Sequence, residues 1–183
     1  MLILPASVRA DLERWALADH PHETCGVLVG LRDDTATHVE HAVAVHNRAS
    51  EPTERYDLDP GEFVAADAAA RARGLDLVGI WHSHPDRPAE PSALDRAAAW
   101  SGWSYLIVAL SARGIGDVRS WRLIAGRFDE EQIAQCPPAP PSGALAGGAG
   151  SPFFSRRSSA SCSSVGASFP MRSSPPSTVA GAT

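Results

Sequence analysis

Two histidines separated by one residue, His82 and His84, form the pair whose spacing points most directly to chemistry. They lie in an apolar stretch that predicts a strand, and residues i and i+2 of a strand project from the same face. Proline cannot donate a hydrogen bond to a neighbouring strand, so we expect the strand to end at Pro85. Asp95 would add a carboxylate if the chain turns back after Pro91. Two neutral imidazoles and a carboxylate, with a fourth position left open, are typical ligands of a catalytic zinc ion.

Ser92 and Asp95 also have an interpretation that involves no metal. Their spacing fits a capping box, in which Ser92 is the N-cap of a helix and Asp95 bonds back to it. The two interpretations are compatible, because an aspartate in the first turn can both favour the helix N-terminus and face a metal. A His-x-His pair also occurs on strands that bind no metal, so the spacing alone leaves both interpretations open.

The motif is extended by a second, distant segment. His82-Ser83-His84-Pro85, followed by Pro91 and by Ser92-x-x-Asp95, resembles the metal motif of the JAMM (MPN+, or Mov34/MPN/PAD-1-like) metallopeptidases. That family also carries a glutamate well upstream, followed closely by Cys-Gly and an apolar run. Glu23-Thr24-Cys25-Gly26 and the residues after it fit this pattern. The resemblance covers about residues 1–134.

The resemblance implies a set of roles for five residues. His82, His84 and Asp95 would hold one zinc ion per chain, leaving a position for water. Glu23 would accept a proton from that water and pass it to the leaving amine without ligating the metal. Ser92 would donate its hydroxyl to the oxyanion. The implied fold class is α/β (α+β), a single JAMM/MPN domain with a curved mixed β-sheet flanked by helices, similar in architecture to cytidine deaminases.

The resemblance also implies a substrate class. Members of the family cleave bonds at the C-terminus of ubiquitin or ubiquitin-like proteins. This short chain resembles compact prokaryotic members of the family, which are similar to sulfur-carrier-protein (CysO-cysteine) peptidases. We therefore expect cleavage after the Gly-Gly of a ubiquitin-like sulfur carrier protein, which releases an amino acid such as cysteine or a C-terminal extension. The alternatives are an isopeptidase acting on lysine conjugates, a non-catalytic MPN scaffold, and a cysteine hydrolase that uses Cys25.

Composition and charge exclude several other classes of function. The net charge of −5 does not favour a nucleic-acid partner. The chain contains no lysine, which excludes Schiff-base lysine chemistry. Three widely spaced cysteines form no disulfide framework, and no apolar run approaches the length of a membrane span. We expect a cytoplasmic protein that binds no membrane, with a homodimer as a candidate assembly.

The remaining sequence divides into a domain and a tail. Residues 1–136 are the predicted metallopeptidase domain, whereas residues 137–183 are rich in Pro and Ser and are predicted to be disordered. Within the domain, alternation assigns one face of the metal strand to Val78, Ile80, His82 and His84, and the other to Leu77, Gly79, Trp81 and Ser83. Asp59, Pro60 and Glu62 predict the start of a helix that Gly74 ends. The predicted strands are 2–4, 25–30, 38–45, 56–58, 75–84, 105–110 and 118–124, with a last element at 128–133; the predicted helices are 5–19, 59–73 and 92–100, and 47–54 is a loop near the cleft.

Overall fold

The computed structural model describes residues 1–136, and within them the chain forms eight strands and three helices. In chain order these are β1 (Leu2–Pro5), α1 (Ala6–Asp19), β2 (Cys25–Arg32), β3 (Thr37–Val45), α2 (Pro60–Ala72), β4 (Asp76–Pro85), α3 (Ala93–Ala98), β5 (Ser104–Ser111), β6 (Gly114–Ile124), β7 (Arg127–Glu131) and β8 (Ile133–Cys136).

All the described strands join one mixed sheet in the order β7-β6-β5-β4-β2-β3-β1-β8. Strand β1 runs parallel to β3 and β8, and β4 runs parallel to β5, while the other neighbours are antiparallel. The two edge strands, β7 and β8, are separated in sequence by Gln132 alone. The two edges must therefore meet at that end, so the sheet is curved and nearly closed. The predicted mixed α/β class with a curved sheet is confirmed.

A buried polar cluster lies where the sheet curls back on itself. The Arg122 guanidinium contacts Glu131 Oε1 at 2.5 Å and Thr37 Oγ1 at 2.8 Å. Glu131 also lies 3.3 Å from the Met1 amino group and accepts a hydrogen bond from Ser120 Oγ at 3.0 Å. These contacts link β6 and β7 to β3 and to the chain before β1, which are on opposite sides of the sheet order.

Helix α1 packs on one face of the sheet. Val8, Leu12 and Ala16 recur at a spacing of four residues and form the buried stripe of the helix. The Trp15 ring stacks on Trp81 of β4 with ring centroids 5.6 Å apart. The larger hydrophobic core of the domain lies between this helix and the sheet.

Helix α2 packs on the opposite face, against β2. Its start is as the sequence predicts: Asp59 Oδ1 accepts hydrogen bonds from the backbone N–H groups of Gly61 and Glu62. Gly74 follows its end with φ 74°, a conformation that glycine adopts without strain. The Glu62 carboxylate does not complete a capping box, because it accepts a hydrogen bond from His46 N instead.

The predicted faces of β4 are wrong at two residues. Leu28 of β2 is paired with Gly79, and the next residue of β2 is paired with Leu77, so Val78 is the extra residue of a β-bulge. Val78 therefore packs in the α1 core with Trp81, and Leu77 packs against α2. Beyond the bulge the alternation holds, and Ile80 lines the cleft that also contains the motif residues.

Two further elements differ from the prediction, and a third lies beyond the described residues. The predicted strand at 56–58 contributes only an isolated bridge between Asn47 and Leu58. The single predicted element at 128–133 is two strands, β7 and β8, which pair with opposite edges of the sheet. The predicted tail, 137–183, lies outside the described residues, so the domain boundary stays a prediction. Within residues 1–136 no helix is both long enough and apolar enough to cross a bilayer.

Candidate metal centre

The two halves of the motif converge on the face of the sheet that carries α2. His82 and His84 project from β4, which pairs with β2 on one side and β5 on the other. Asp95 projects from the first turn of α3. The ligand atoms of the three side chains lie within 4.8 Å of one another, and all three residues are buried. The structure thus brings together the three residues that the sequence predicts as metal ligands.

The donor atoms suit a metal cation. His82 Nε2 and His84 Nε2 are 3.0 Å apart, and they lie 3.4 and 3.8 Å from the Asp95 carboxylate. His84 Nδ1 lies 2.8 Å from the Pro88 carbonyl oxygen, which can only accept a hydrogen bond. Nδ1 therefore carries the hydrogen and Nε2 presents its lone pair to the centre, as in metal-bound histidines. The residues present fit a divalent metal.

Burial and hydrogen bonding favour the ligand forms of these groups. Burial lowers the pKa of His82, so the imidazole is held neutral, as metal binding requires. Burial alone would raise the pKa of Asp95, but the polar contacts of its carboxylate with His82, His84 and Ser92 outweigh burial and hold that pKa far below its usual range. The centre therefore pairs a neutral His82 imidazole with an ionised Asp95 carboxylate.

Glu23 lies in the same cleft as Asp95 but does not join the converging ligand atoms. Only 2% of its surface is exposed, and its Oε1 is contacted by the Arg87 guanidinium. Arg87 belongs to the loop between β4 and α3, so this ion pair ties the carboxylate to the motif loop. The carboxylate thus shares the cleft with Asp95 but lies outside the metal-binding group, and its role as a general base stays a prediction.

Ser92 is the N-cap of α3, and both halves of the predicted capping box form. Its Oγ accepts from Asp95 N at 3.1 Å, and its own N–H donates to Asp95 Oδ2 at 2.6 Å. Because the hydroxyl oxygen is the acceptor, its hydrogen remains available to donate into the cleft, which Ser92 also lines. The capping box predicted for Ser92 is confirmed, and its role as the oxyanion donor stays a prediction.

An open cleft of about 880 Å³ leads to the centre. The Tyr56 ring lies against His82 with ring centroids 4.5 Å apart. Burial raises the pKa of Tyr56 well above its usual range, so the phenol remains neutral. At the rim, Trp100 is 49% exposed and contacts Phe63 edge-on. The Tyr56 ring therefore forms an aromatic wall deep in the cleft, beside His82, and Trp100 is an aromatic side chain at the mouth of the cleft.

Two residues of this site were missed from the sequence. Arg87 could have been noticed, because it lies between the two halves of the motif and is cationic. Tyr56 follows a polar loop and belongs to no local pattern, so only the folded chain places it against His82.

Cys25 does not fit the cysteine-hydrolase alternative. Its side chain is fully buried, and its Sγ lies 3.5 Å from the Val45 carbonyl oxygen. Burial, with smaller contributions from Asp57 and other nearby carboxylates, raises the pKa of the thiol to about 12. A nucleophilic cysteine needs a lowered pKa, so the structure contradicts this alternative.

Comparisons with known proteins agree with this geometry. A family described as prokaryotic homologs of the JAB domain matches residues 5–124. A protein of Haloferax volcanii named desampylase is 43% identical over 108 residues, which cover 58% of this chain and 76% of that protein. A CysO-cysteine peptidase of Mycobacterium tuberculosis is 32% identical over 131 residues, covering 69% of this chain and 88% of the relative.

A further relative and a solved structure extend the comparison. A Thermus thermophilus protein named as a probable TtuB-protein conjugate cleaving protease is 32% identical over 101 residues, covering 55% of this chain and 65% of the relative. The solution structure of a Desulfitobacterium hafniense protein superimposes with a TM-score of 0.67 at 32% identity, over 74% of this chain and 93% of the other. Fold, ligand geometry and relatives agree: the chain belongs to the prokaryotic JAB-domain family, within the JAMM/MPN group, and is a JAMM-type hydrolase.

Proposed function

We propose that this protein is a zinc-dependent peptidase that hydrolyses the bond after the C-terminal Gly-Gly of a ubiquitin-like sulfur carrier protein, releasing an attached amino acid such as cysteine or a C-terminal extension. The observation that carries the proposal is the buried group of His82, His84 and Asp95, whose Asp95 lines an open cleft that also contains Glu23. The CysO-cysteine peptidase supports the substrate class, because it aligns with this chain over 88% of its length.

His82, His84 and Asp95 would hold the metal through two imidazole nitrogens and one carboxylate. When bound, zinc would lower the pKa of a water molecule to about 7 and polarise the scissile carbonyl. Of the two Asp95 oxygens, Oδ2 already accepts a hydrogen bond from Ser92 N. Oδ1 is therefore the oxygen better placed to ligate.

Glu23 would accept the proton of the attacking water and deliver it to the leaving amine. Its ion pair with Arg87 fixes the direction of the carboxylate within the cleft. Ser92 would donate its hydroxyl hydrogen to the oxyanion that forms as water adds to the carbonyl. The acid–base group and the oxyanion donor come from different elements, so an extended peptide lying in the cleft can contact both.

The aromatic wall gives Gly-Gly specificity a physical reason. The Tyr56 ring occupies the space beside His82, so a chain reaching the centre must pass close to it. Glycine has no Cβ and adopts backbone conformations closed to other residues, so two glycines would pass where larger residues would clash.

A second candidate function is the cleavage of ubiquitin-like proteins from lysine side chains. The Thermus relative, named as a probable TtuB-protein conjugate cleaving protease, favours it. Both reactions would use the same centre, and they differ in the leaving group attached to the Gly-Gly carboxyl. A scaffold role is not favoured, because a buried and complete ligand group is costly to keep without a metal to bind.

The test offers the zinc-loaded full chain two substrates side by side: a carrier with cysteine attached after its Gly-Gly, and the same carrier linked to a lysine side chain. Mass spectrometry follows the release of the cysteine and of the lysine-bearing partner. We expect release from the cysteine adduct, and a fall of about 100-fold to 10,000-fold in kcat for Glu23→Gln. Cleavage of the lysine conjugate alone would replace the first proposal with the second. Cleavage of neither substrate would contradict both.

A further inference from the structure

Asn47 uses its whole side-chain amide in hydrogen bonds within the site. Its Nδ2 donates to the carbonyl oxygens of Glu23 at 2.9 Å and Arg55 at 3.1 Å. Its Oδ1 accepts from the N–H groups of Ala49 and Asp57, each at 3.0 Å. The two carbonyl oxygens can only accept and the two N–H groups can only donate. The amide of Asn47 therefore satisfies all four contacts in one orientation only, with Nδ2 toward the carbonyls and Oδ1 toward the N–H groups.

These bonds matter because Glu23 lies before β2, and its backbone is bound by the loop after β3. Its N–H donates to the Pro52 carbonyl oxygen at 2.6 Å, and its carbonyl accepts from Asn47. Both backbone groups of the proposed general base are thus bound by residues 47–52. The sheet itself begins to fix this strand only at the following residues, where Thr24 and Ser83 exchange hydrogen bonds.

The side-chain amide of Asn47 also fixes the position of the Tyr56 ring. Arg55 and Asp57, whose carbonyl and N–H it binds, are the residues on either side of Tyr56. Arg48 N donates to the Asp57 carbonyl oxygen at 2.8 Å, so the segment folds back on itself around Asn47. One side chain therefore connects the backbone of Glu23 to the backbone that carries the ring against His82.

We propose that Asn47 is a positioning residue that sets the Glu23 carboxylate relative to the metal ligands and Tyr56, and so controls the chemical step without touching substrate. This inference rests on the proposed function. A displacement of about 1 Å in a catalytic group can lower the rate by about 100-fold. Such a displacement would arise if the Asn47 amide, which binds the Glu23 carbonyl, were lost.

The decisive variant is Asn47→Asp. It keeps an oxygen to accept from Ala49 and Asp57, but it turns the donor that faces Glu23 into a second acceptor. We expect kcat to fall by about 10-fold to 100-fold with KM nearly unchanged and with wild-type zinc content. The matched control is Asp59→Ala, which removes the N-cap of α2 in the same region but no contact to Glu23. It should lower Tm without lowering kcat.

Hydrogen exchange of the full chain gives a readout that does not depend on activity. In Asn47→Asp the amide of Glu23 should exchange faster, and in Asp59→Ala it should exchange at the wild-type rate. Wild-type kcat together with wild-type exchange in Asn47→Asp would overturn the inference, as would equal losses of kcat in both variants. If the wild type cleaves neither carrier substrate, the proposed function fails, and the exchange at Glu23 still decides the positioning role.

Discussion

Cys25 lies within the family motif, but the burial of its thiol makes it unsuited to a chemical role. It lies two positions after Glu23, and its backbone is paired with that of His82 across the sheet. Yet its thiol is buried, with a pKa raised to about 12 by burial. The thiol therefore stays protonated at neutral pH. The sulfur therefore acts as a packed side chain beside the centre.

We expect Cys25→Ala to keep the wild-type rate of hydrolysis and to lower the free energy of unfolding by about 1 kcal/mol, since a small buried group is lost. In the folded protein, iodoacetamide should leave the Cys25 peptide unmodified, and in urea it should modify that peptide. Peptide mass spectrometry measures both. Rapid labelling of Cys25 that parallels loss of activity would contradict this account of the residue.

If His82 and His84 bind zinc, the thermal stability of the folded chain should depend on zinc. Zinc that binds the folded chain and not the unfolded one stabilises it by about 2.7 kcal/mol at a free concentration of 100 Kd. We expect zinc added to metal-free protein to raise Tm, and His84→Ala to abolish most of the increase. His38→Ala is the control, because that histidine is exposed on β3 and pairs with Asp33. Differential scanning calorimetry would disprove the assignment if both variants respond like the wild type.

Helix α3 has only six residues, and its N-terminal cap is also part of the centre. Ser92 and Asp95 hold each other through the capping box, so the turn that starts the helix also orients a carboxylate of the candidate metal centre. A helix this short gains little from its own backbone bonds, and the cap supplies much of what fixes it. Ser92 and Asp95 therefore set both the start of helix α3 and the orientation of the Asp95 carboxylate.

Ser92→Ala should produce two separable losses. Removing the cap should lower the free energy of unfolding by about 1 kcal/mol, and removing the oxyanion donor should lower kcat by about 100-fold to 1000-fold. Ser92→Thr keeps a capping oxygen and a hydroxyl, and should retain most of both. Urea unfolding and steady-state kinetics on the same preparations distinguish the two effects. Equal kcat for the alanine and threonine variants would rule out the donor role.

The elements that sequence predicts well are those with local signals at their ends. Helix α2 has an N-cap at Asp59 and a left-handed glycine at Gly74, and both act as expected. The bulge at Val78 leaves no such signal, because it depends on how β2 pairs with β4. The same is true of two contacts at the centre, Asn47 with Glu23 and Tyr56 with His82, because in each the two residues lie far apart along the chain and only the fold brings them together.

The near closure of the sheet depends on contacts between distant parts of the described chain, and the sequence did not predict it. Residues 128–133 are predicted as one last element, but the chain leaves one edge at Glu131 and joins the opposite edge at Ile133. The buried carboxylate of Glu131 lies between Arg122 and the Met1 amino group at this point. Its partners come from distant parts of the chain, so no window of sequence contains the cluster.

Glu131→Ala should destabilise the fold by about 3–5 kcal/mol, because it leaves the Arg122 guanidinium without its buried partner. The centre lies on other strands, so the folded fraction should keep its zinc affinity. Glu130→Ala is the neighbouring control: that exposed carboxylate pairs with Arg119 at the surface and should change stability little. Urea denaturation of the two variants tests the difference, and similar midpoints would contradict a role for the cluster in closure.

Trp100 at the mouth of the cleft gives the protein a built-in optical reporter. Its indole is 49% exposed, whereas the indoles of Trp15 and Trp81 stack beneath α1 on the other face of the sheet. A carrier tail that settled into the cleft would remove water from the exposed indole and shift its emission to shorter wavelength. With Glu23→Gln to prevent turnover, titration of fluorescence would count occupied sites without any label.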